Sequence, residues 1–165
     1  MINNMTGENM KFEDKYPEVA RPYVACYVIL RRGNDIAMVL RKNTTWMDGH
    51  YGLPAGKGEW FETFSKGAIR EAKEESGVDI LPKNLRFVHI AHRHGEDVAS
   101  NKFMDWVDVY FEADNWEGEP YNAEEEKSER LDWLDFNSLP ENIVPSQLAA
   151  LSHIAEGEFY SEYGW

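Results

Sequence analysis

The sequence predicts a layered α/β domain built on a mixed β-sheet. Three observations predict it. Residues 23–31 and 36–40 are runs rich in β-branched and aromatic side chains, residues 63–76 form a proline-free helical stretch, and residues 85–92 and 103–111 again read as strands. Strands on both sides of a central helix are the pattern of helices packed on a sheet. The chain has 165 residues, which fits one domain and suffices to bury a core without a disulfide or structural metal.

The elements follow in order. Arg32-Gly33-Asn34-Asp35 is a turn cluster, so the first two strands form a hairpin. Residues 42–50 read as a polar loop, and 51–56 as a strand end leading into a turn. The helix over 63–76 is stopped by Gly77. Residues 94–101 are expected as a polar loop and 112–127 as an acidic loop carrying Gly118 and Pro120. Residues 130–134 read as a short strand and 146–156 as a C-terminal helix. Residues 1–21 lack periodicity and are expected as a loose leader ahead of a domain over 22–165. No repeat or low-complexity tract interrupts it.

The formal net charge of −13 argues against a polymeric nucleic-acid partner, which demands basic surface. It leaves open a small polyphosphate, provided divalent cations lie between the like charges. The single cysteine, Cys26, sits in an apolar run and reads as a buried thiol, compatible with a reducing compartment. The first 22 residues contain no apolar signal-peptide core, and no apolar stretch is long enough to span a bilayer. The expectation is a cytoplasmic protein without a membrane partner, monomeric or homodimeric.

The segment from Gly56 to Val78 carries the chemistry. Glu71, Glu74 and Glu75 are spaced i, i+3, i+4 and share one helix face. Like charges at that spacing repel, and they crowd the helix C-terminal half, where the macrodipole disfavours anions. Two local penalties accepted at one place mark a candidate functional site. Two readings stand: a solvated face balanced by Lys66, Arg70 and Lys73, or a site for a hard cation such as Mg²⁺, which takes carboxylate oxygens and shares its shell with phosphates. Gly67, one turn before Glu71, permits close approach of a backbone or ligand, and Phe64, Ala68 and Ala72 form a stripe that could pack on the sheet.

The wider spacing is Gly56, five residues, Glu62, seven residues, Arg70-Glu71, an apolar position, one residue, Glu74-Glu75, one residue, Gly77 and an apolar position. In this the chain resembles the Nudix hydrolase family, whose box has this pattern at every fixed position. With each fixed residue at a frequency on the order of one in fifteen, seven matches arise by accident with a chance of roughly one in 10⁸. Residues 53–56, 41–49, 116–120, 133–140 and 157–165 resemble the MutT-type branch, so the likeness runs from Pro22 to Trp165.

The resemblance implies an α/β/α sandwich with the box as loop, helix and loop, and a Mg²⁺-dependent pyrophosphohydrolase, with Mn²⁺ as the alternative ion. It implies Glu71 and Glu75 as metal ligands, Glu74 as a further ligand or a base acting through water, and the Ala55 carbonyl as completing the shell. Glu71 is the alternative base. Arg70 and Glu62 would pair and hold the catalytic glutamates. A carboxylate from a later loop often contributes, and Glu124 is chosen from the run Glu124-Glu125-Glu126. The chain departs from the pattern at Phe61, where relatives often have glycine, and at Gly58, where an apolar residue is common.

Arg41 and Lys42 are candidate phosphate contacts, and Tyr27, Trp46, Tyr51 and Trp60 are candidate base-stacking residues. Residues 143–147 lack the acidic pair that some relatives acting on oxidised purines use. His89, His92 and His94 lack the partnering cysteine of a zinc site and read as surface or pocket residues. The expected substrate is a small nucleotide: a nucleoside di- or triphosphate cut to the monophosphate. The alternatives are ADP-ribose, a nucleotide sugar or a dinucleoside polyphosphate, and a non-catalytic nucleotide-binding module. The absence of proline from residues 85–115 speaks against ADP-ribose, and the intact box glutamates speak against the binding module.

Overall fold

A computed structural model describes residues 19–97 and 102–165. Strand β1 (Tyr23–Arg32) is the centre of the molecule. It runs antiparallel to β2 (Asp35–Arg41) and β4 (Ala55–Lys57), and parallel to β6 (Lys102–Ala113). The remaining strands are β3 (Tyr51–Gly52), β5 (Arg86–Asp97), β7 (Ser128–Asp135) and β8 (Tyr160–Tyr163). The main path through the sheet is β3-β2-β1-β6-β5-β8, with β7 on β2 and β4 on β1. Parallel and antiparallel pairs coexist, so the sheet is mixed, as the pattern predicts. A 3₁₀ turn at Pro82–Asn84 precedes β5.

Both faces of β1 are buried because its residues alternate between two cores. Ala25, Tyr27 and Ile29 join Ile36, Met38, Tyr110 and Leu151 on the face covered by α2 (Pro145–Ala155). Cys26, Val28 and Leu30 join Ala68, Ala72, Val78, Val109 and Phe111 under α1 (Phe64–Ser76). The architecture is the expected α/β/α sandwich. Cys26 is buried, which pushes its thiol pKa up to about 11 and keeps it protonated.

Helix α1 starts where Thr63 caps it, its side chain accepting from the Lys66 N–H at 3.3 Å. It ends at Gly77, whose φ of +73° suits glycine and whose N–H donates to the Lys73 carbonyl. Its inward face is small: Gly67, Ala68 and Ala72. A Cβ on Gly67 would lie 3.2 Å from the Cys26 sulfur and 2.9 Å from Glu62 Oε1, so the close neighbours there are two side chains, not a backbone or ligand.

Several expectations need correction. Phe64 is the first helical residue and is half exposed, outside the packed stripe of Ala68 and Ala72. The expected loop over 94–101 begins later, because His94–Asp97 continue β5 in register with β6; residues 98–101 lie outside the described residues. Glu112 and Ala113, assigned to the acidic loop, end β6. The tail after residue 157, to which the sequence pattern assigns no element, contains β8, which pairs in parallel with β5. His89 is neither surface nor pocket. It is fully buried, with Nε2 2.7 Å from Ser161 Oγ and Nδ1 2.9 Å from the Glu158 carbonyl. Of the leader expected over 1–21, residues 1–18 lie outside the described residues.

Phe61 adopts φ +65° and is fully exposed beside exposed Trp60. A bulky residue in that region carries about 1–2 kcal/mol of backbone cost, against roughly 0.5–1 kcal/mol of extra chain entropy lost by glycine. Phe61→Gly is therefore expected to raise stability by about 0.5–1 kcal/mol in urea unfolding. A loss of stability would show that the ring makes a supporting contact.

Candidate active site

The small inward face of α1 decides how close the helix comes to β4. A Cβ on Gly56 would land 2.1 Å from Glu71 Oε1, so only glycine leaves room for that carboxylate against the strand. Glu71 is buried and fixed by Arg70 Nη1 at 2.5 Å. One helical turn on, Glu75 Oε2 accepts the Ala55 N–H at 3.2 Å. Ala55 is thus at the site, meeting Glu75 through its N–H.

Arg70 organises the acids. It grips Glu62 through Nε at 3.2 Å and Nη2 at 2.9 Å, as the family resemblance implies, and also touches Glu71, Glu74 at 3.2 Å and the Lys57 carbonyl at 3.1 Å. The guanidinium beside it holds the Glu62 carboxyl below the usual carboxylate range. Glu59 adds its N–H to Glu62 at 2.8 Å. Glu74 is more exposed, at 57% of its side chain, and faces the same cavity as Glu71.

Glu124 arrives through backbone caps. The N–H groups of Tyr121 and Ala123 donate to the carbonyls of Ser76 and Glu75 at 3.1 Å each, satisfying the end of α1. This lays residues 121–124 across the helix terminus and brings Glu124 into the cavity lined by Ala55, Gly56, Glu71, Glu74 and Glu75. Lys127 Nζ pairs with Glu124 at 2.6 Å.

The electrostatic result is a strained set of acids. Burial pushes the Glu75 carboxyl up to about 8, with Glu71 and Glu124 adding to the effect and the Ala55 N–H opposing it. Part of the side chain still reaches solvent. Burial likewise raises Glu71, against the pull of Arg70. Among the described residues no three acidic, imidazole or thiolate groups converge into a preformed metal cage. The donors are nevertheless the hard oxygens that Mg²⁺ takes, one or two at a time, with phosphates completing the shell. A glycine cradle and a Glu75 carboxylate with one protein hydrogen-bond donor fit such an ion.

Next to the acids lies a cleft of about 340 Å³ lined by Tyr27, Arg41, Trp46, Arg93, Trp106 and Gln147, among others. Arg41 reaches it, held by the Trp46 carbonyl at 3.2 Å and Thr44 Oγ1 at 3.0 Å. Lys42 does not line it. Strand alternation turns the neighbour of Arg41 away, and the Lys42 N–H instead ties to the Lys127 carbonyl. Of the stacking candidates, Tyr27 and Trp46 line the cleft. Tyr51 is a core residue bonded to Asp132, and Trp60 stands in solvent. The residues missed are Lys57, Arg93, Trp106 and Gln147. Gln147 lies within a segment compared only for acidic residues, and the others carry no local spacing signal.

Gly56→Ala tests the cradle. The displaced Glu71 carboxylate is expected to cost about 10²-fold in turnover, with the circular dichroism spectrum unchanged. Wild-type turnover in this variant would show that the Glu71 position is not critical.

The family model described as NUDIX domain matches residues 20–154. A MutT NUDIX hydrolase of Burkholderia pseudomallei superposes with a TM-score of 0.69 at 27% identity, covering 80% of this chain and 97% of that one. The ADP-ribose pyrophosphatase of Methanocaldococcus jannaschii is 29% identical over 126 residues, 76% of this chain and 69% of its own. The oxidized purine nucleoside triphosphate hydrolase of Danio rerio is 37% identical over 89 residues, 52% of this chain and about half (49%) of its own. With the acids gathered on α1 as the box requires, the chain belongs to the Nudix family and is a pyrophosphohydrolase of the MutT kind.

Proposed function

We propose that the enzyme hydrolyses a nucleoside di- or triphosphate to the monophosphate. The observation that carries this reading is the continuity of the two cavities: Ala55, Gly56 and Lys57 line both the aromatic cleft and the acidic pocket. Arg41 likewise bridges the cleft and the space beside Glu75 and Glu124. A nucleoside in the cleft thereby delivers its phosphates to the carboxylates, and Arg41 and Lys57 face the phosphate nearest the sugar.

A divalent cation, Mg²⁺ or Mn²⁺, would be held by Glu71, Glu75 and Glu124 with the Ala55 carbonyl, and would supply charge neutralisation for the phosphates and acidify water. The protein does the rest. Water attacks phosphorus in line, the bridging P–O bond breaks, and the leaving phosphate oxygen keeps the electron pair. Glu74, exposed to the same cavity, accepts the proton of the attacking water, with Glu71 as the alternative. Arg70 and Glu62 hold the acids in register. Residues 22–165 make up the catalytic domain; the family match over residues 20–154 supports this for most of that span.

A second reading is ADP-ribose hydrolysis, favoured by the likeness to the ADP-ribose pyrophosphatase of M. jannaschii. Both are tested by one panel with Mg²⁺: nucleoside di- and triphosphates, oxidised nucleotides, ADP-ribose and nucleotide sugars, with phosphate and pyrophosphate read separately. The expected result is pyrophosphate or phosphate from a nucleoside polyphosphate, abolished by chelation and by Glu75→Gln, and reduced about 10²- to 10⁴-fold by Glu74→Gln. Turnover confined to ADP-ribose would favour the second reading. Equal inactivity of wild type and Glu75→Gln on every member would overturn both.

A further inference from the structure

The cleft is lined by hydrogen-bond donors, and no carboxylate is among its lining residues within the described part of the chain. Arg93, on β5, is mostly buried and binds Asp108 of β6 sideways, through Nε at 2.6 Å and Nη2 at 3.1 Å. That geometry spends one edge of the guanidinium. Asp108 does not take Nη1 or the outer N–H of Nη2; Arg93 lines the cleft together with Tyr27, whose hydroxyl is a hydrogen-bonding neighbour of the guanidinium. The Trp106 ring lies 4.8 Å from the guanidinium carbon and keeps it in plane.

Gln147 adds a second donor. It is 3% exposed, and its Oε1 accepts the Leu53 N–H at 2.7 Å, which settles which end of the amide is oxygen. Its Nε2 makes no hydrogen bond among the described residues, and the residue lines the same cleft. Nε2 is not among the buried atoms left without a partner, so this donor is open to an acceptor in the cleft. Lys57 and Arg41, also at the cleft, form no ion pair with a carboxylate among the described residues.

Resting on the nucleotide reading above, we infer that the cleft selects purine nucleotides bearing an oxo group at C6 and an unprotonated N7. Such bases present two adjacent acceptors, O6 and N7, which match the two parallel N–H groups of an arginine edge. Adenine presents a donor at N6, which would meet Arg93 and Gln147 head-on. An 8-oxo-purine carries a proton on N7 and meets the same conflict. The discrimination is therefore negative as well as positive.

The test compares kcat/KM for GTP, ITP, ATP and 8-oxo-GTP, with GMP and AMP binding followed separately by tryptophan fluorescence. ITP shares the O6/N7 edge and lacks the 2-amino group, so it should behave as GTP does. Both should exceed ATP and 8-oxo-GTP by about tenfold or more, and GMP should bind more tightly than AMP. Arg93→Lys keeps a cation beside Asp108 but loses the paired edge, and should narrow the preference. Gln147→Glu keeps the acceptor for Leu53 and replaces the donor, and should shift preference toward ATP. Equal handling of all four nucleotides with equal GMP and AMP binding, or discrimination unchanged in both variants, overturns the inference while leaving the hydrolase reading intact. If no nucleotide is cut but GMP still binds in preference to AMP, the base selection stands and the hydrolase reading fails.

Discussion

The contact between Gly56 and Glu71 governs the site. A carboxylate can lie against β4 only because residue 56 has no Cβ, and α1 can approach the sheet only because Gly67, Ala68 and Ala72 are small. Once that distance is set, Glu75 follows one turn later and reaches the Ala55 N–H. The end of α1 then presents its last carbonyls to Tyr121 and Ala123, and Glu124 is delivered by that cap. Tight packing, capping and acid placement are consequences of one another, so a change of a single methyl group at residue 56 reaches the whole cluster.

Crowded acids oppose the fold. Glu71, Glu74, Glu75 and Glu124 share one cavity, and among the described residues the cations ion-paired with them are Arg70 and Lys127. Arg70 offsets part of the repulsion by holding Glu62, Glu71 and Glu74 at once. It leaves Glu75, whose raised pKa reflects burial with neighbouring like charge. A site arranged this way is less stable by itself than with a cation and phosphates, as binding sites tuned for function often are.

Much of this was legible in the sequence, and the reasons differ by element. Helix α1 was legible because its proline-free run, its small residues and its Gly77 stop all lie within one short segment, and the box acids could be placed on one face by spacing alone; that Thr63 caps the helix instead of belonging to it was not legible. The Arg70–Glu62 pair was implied by the same box and is present. Strand β8 and the far end of β5 were not legible, since His94–Asp97 are polar and owe their extended form to pairing with β6, as residues 160–163 owe theirs to β5. Lys42 failed because adjacent residues at a strand end point opposite ways. Arg93 and Gln147 were invisible as a pair: they are far apart in sequence, and only the sandwich brings them to one cleft.

The most direct test of the acid cluster is the thermal midpoint of the purified protein with and without Mg²⁺, in wild type and in Glu75→Gln. A ligand that binds only the folded state raises the midpoint by mass action. The acid-cluster account predicts that Mg²⁺ raises the wild-type midpoint by several degrees, that Glu75→Gln is the more stable of the two without metal, and that Mg²⁺ then adds little to it. A wild-type midpoint indifferent to Mg²⁺, or an equal rise in both proteins, would contradict the claim that these carboxylates form one cation site.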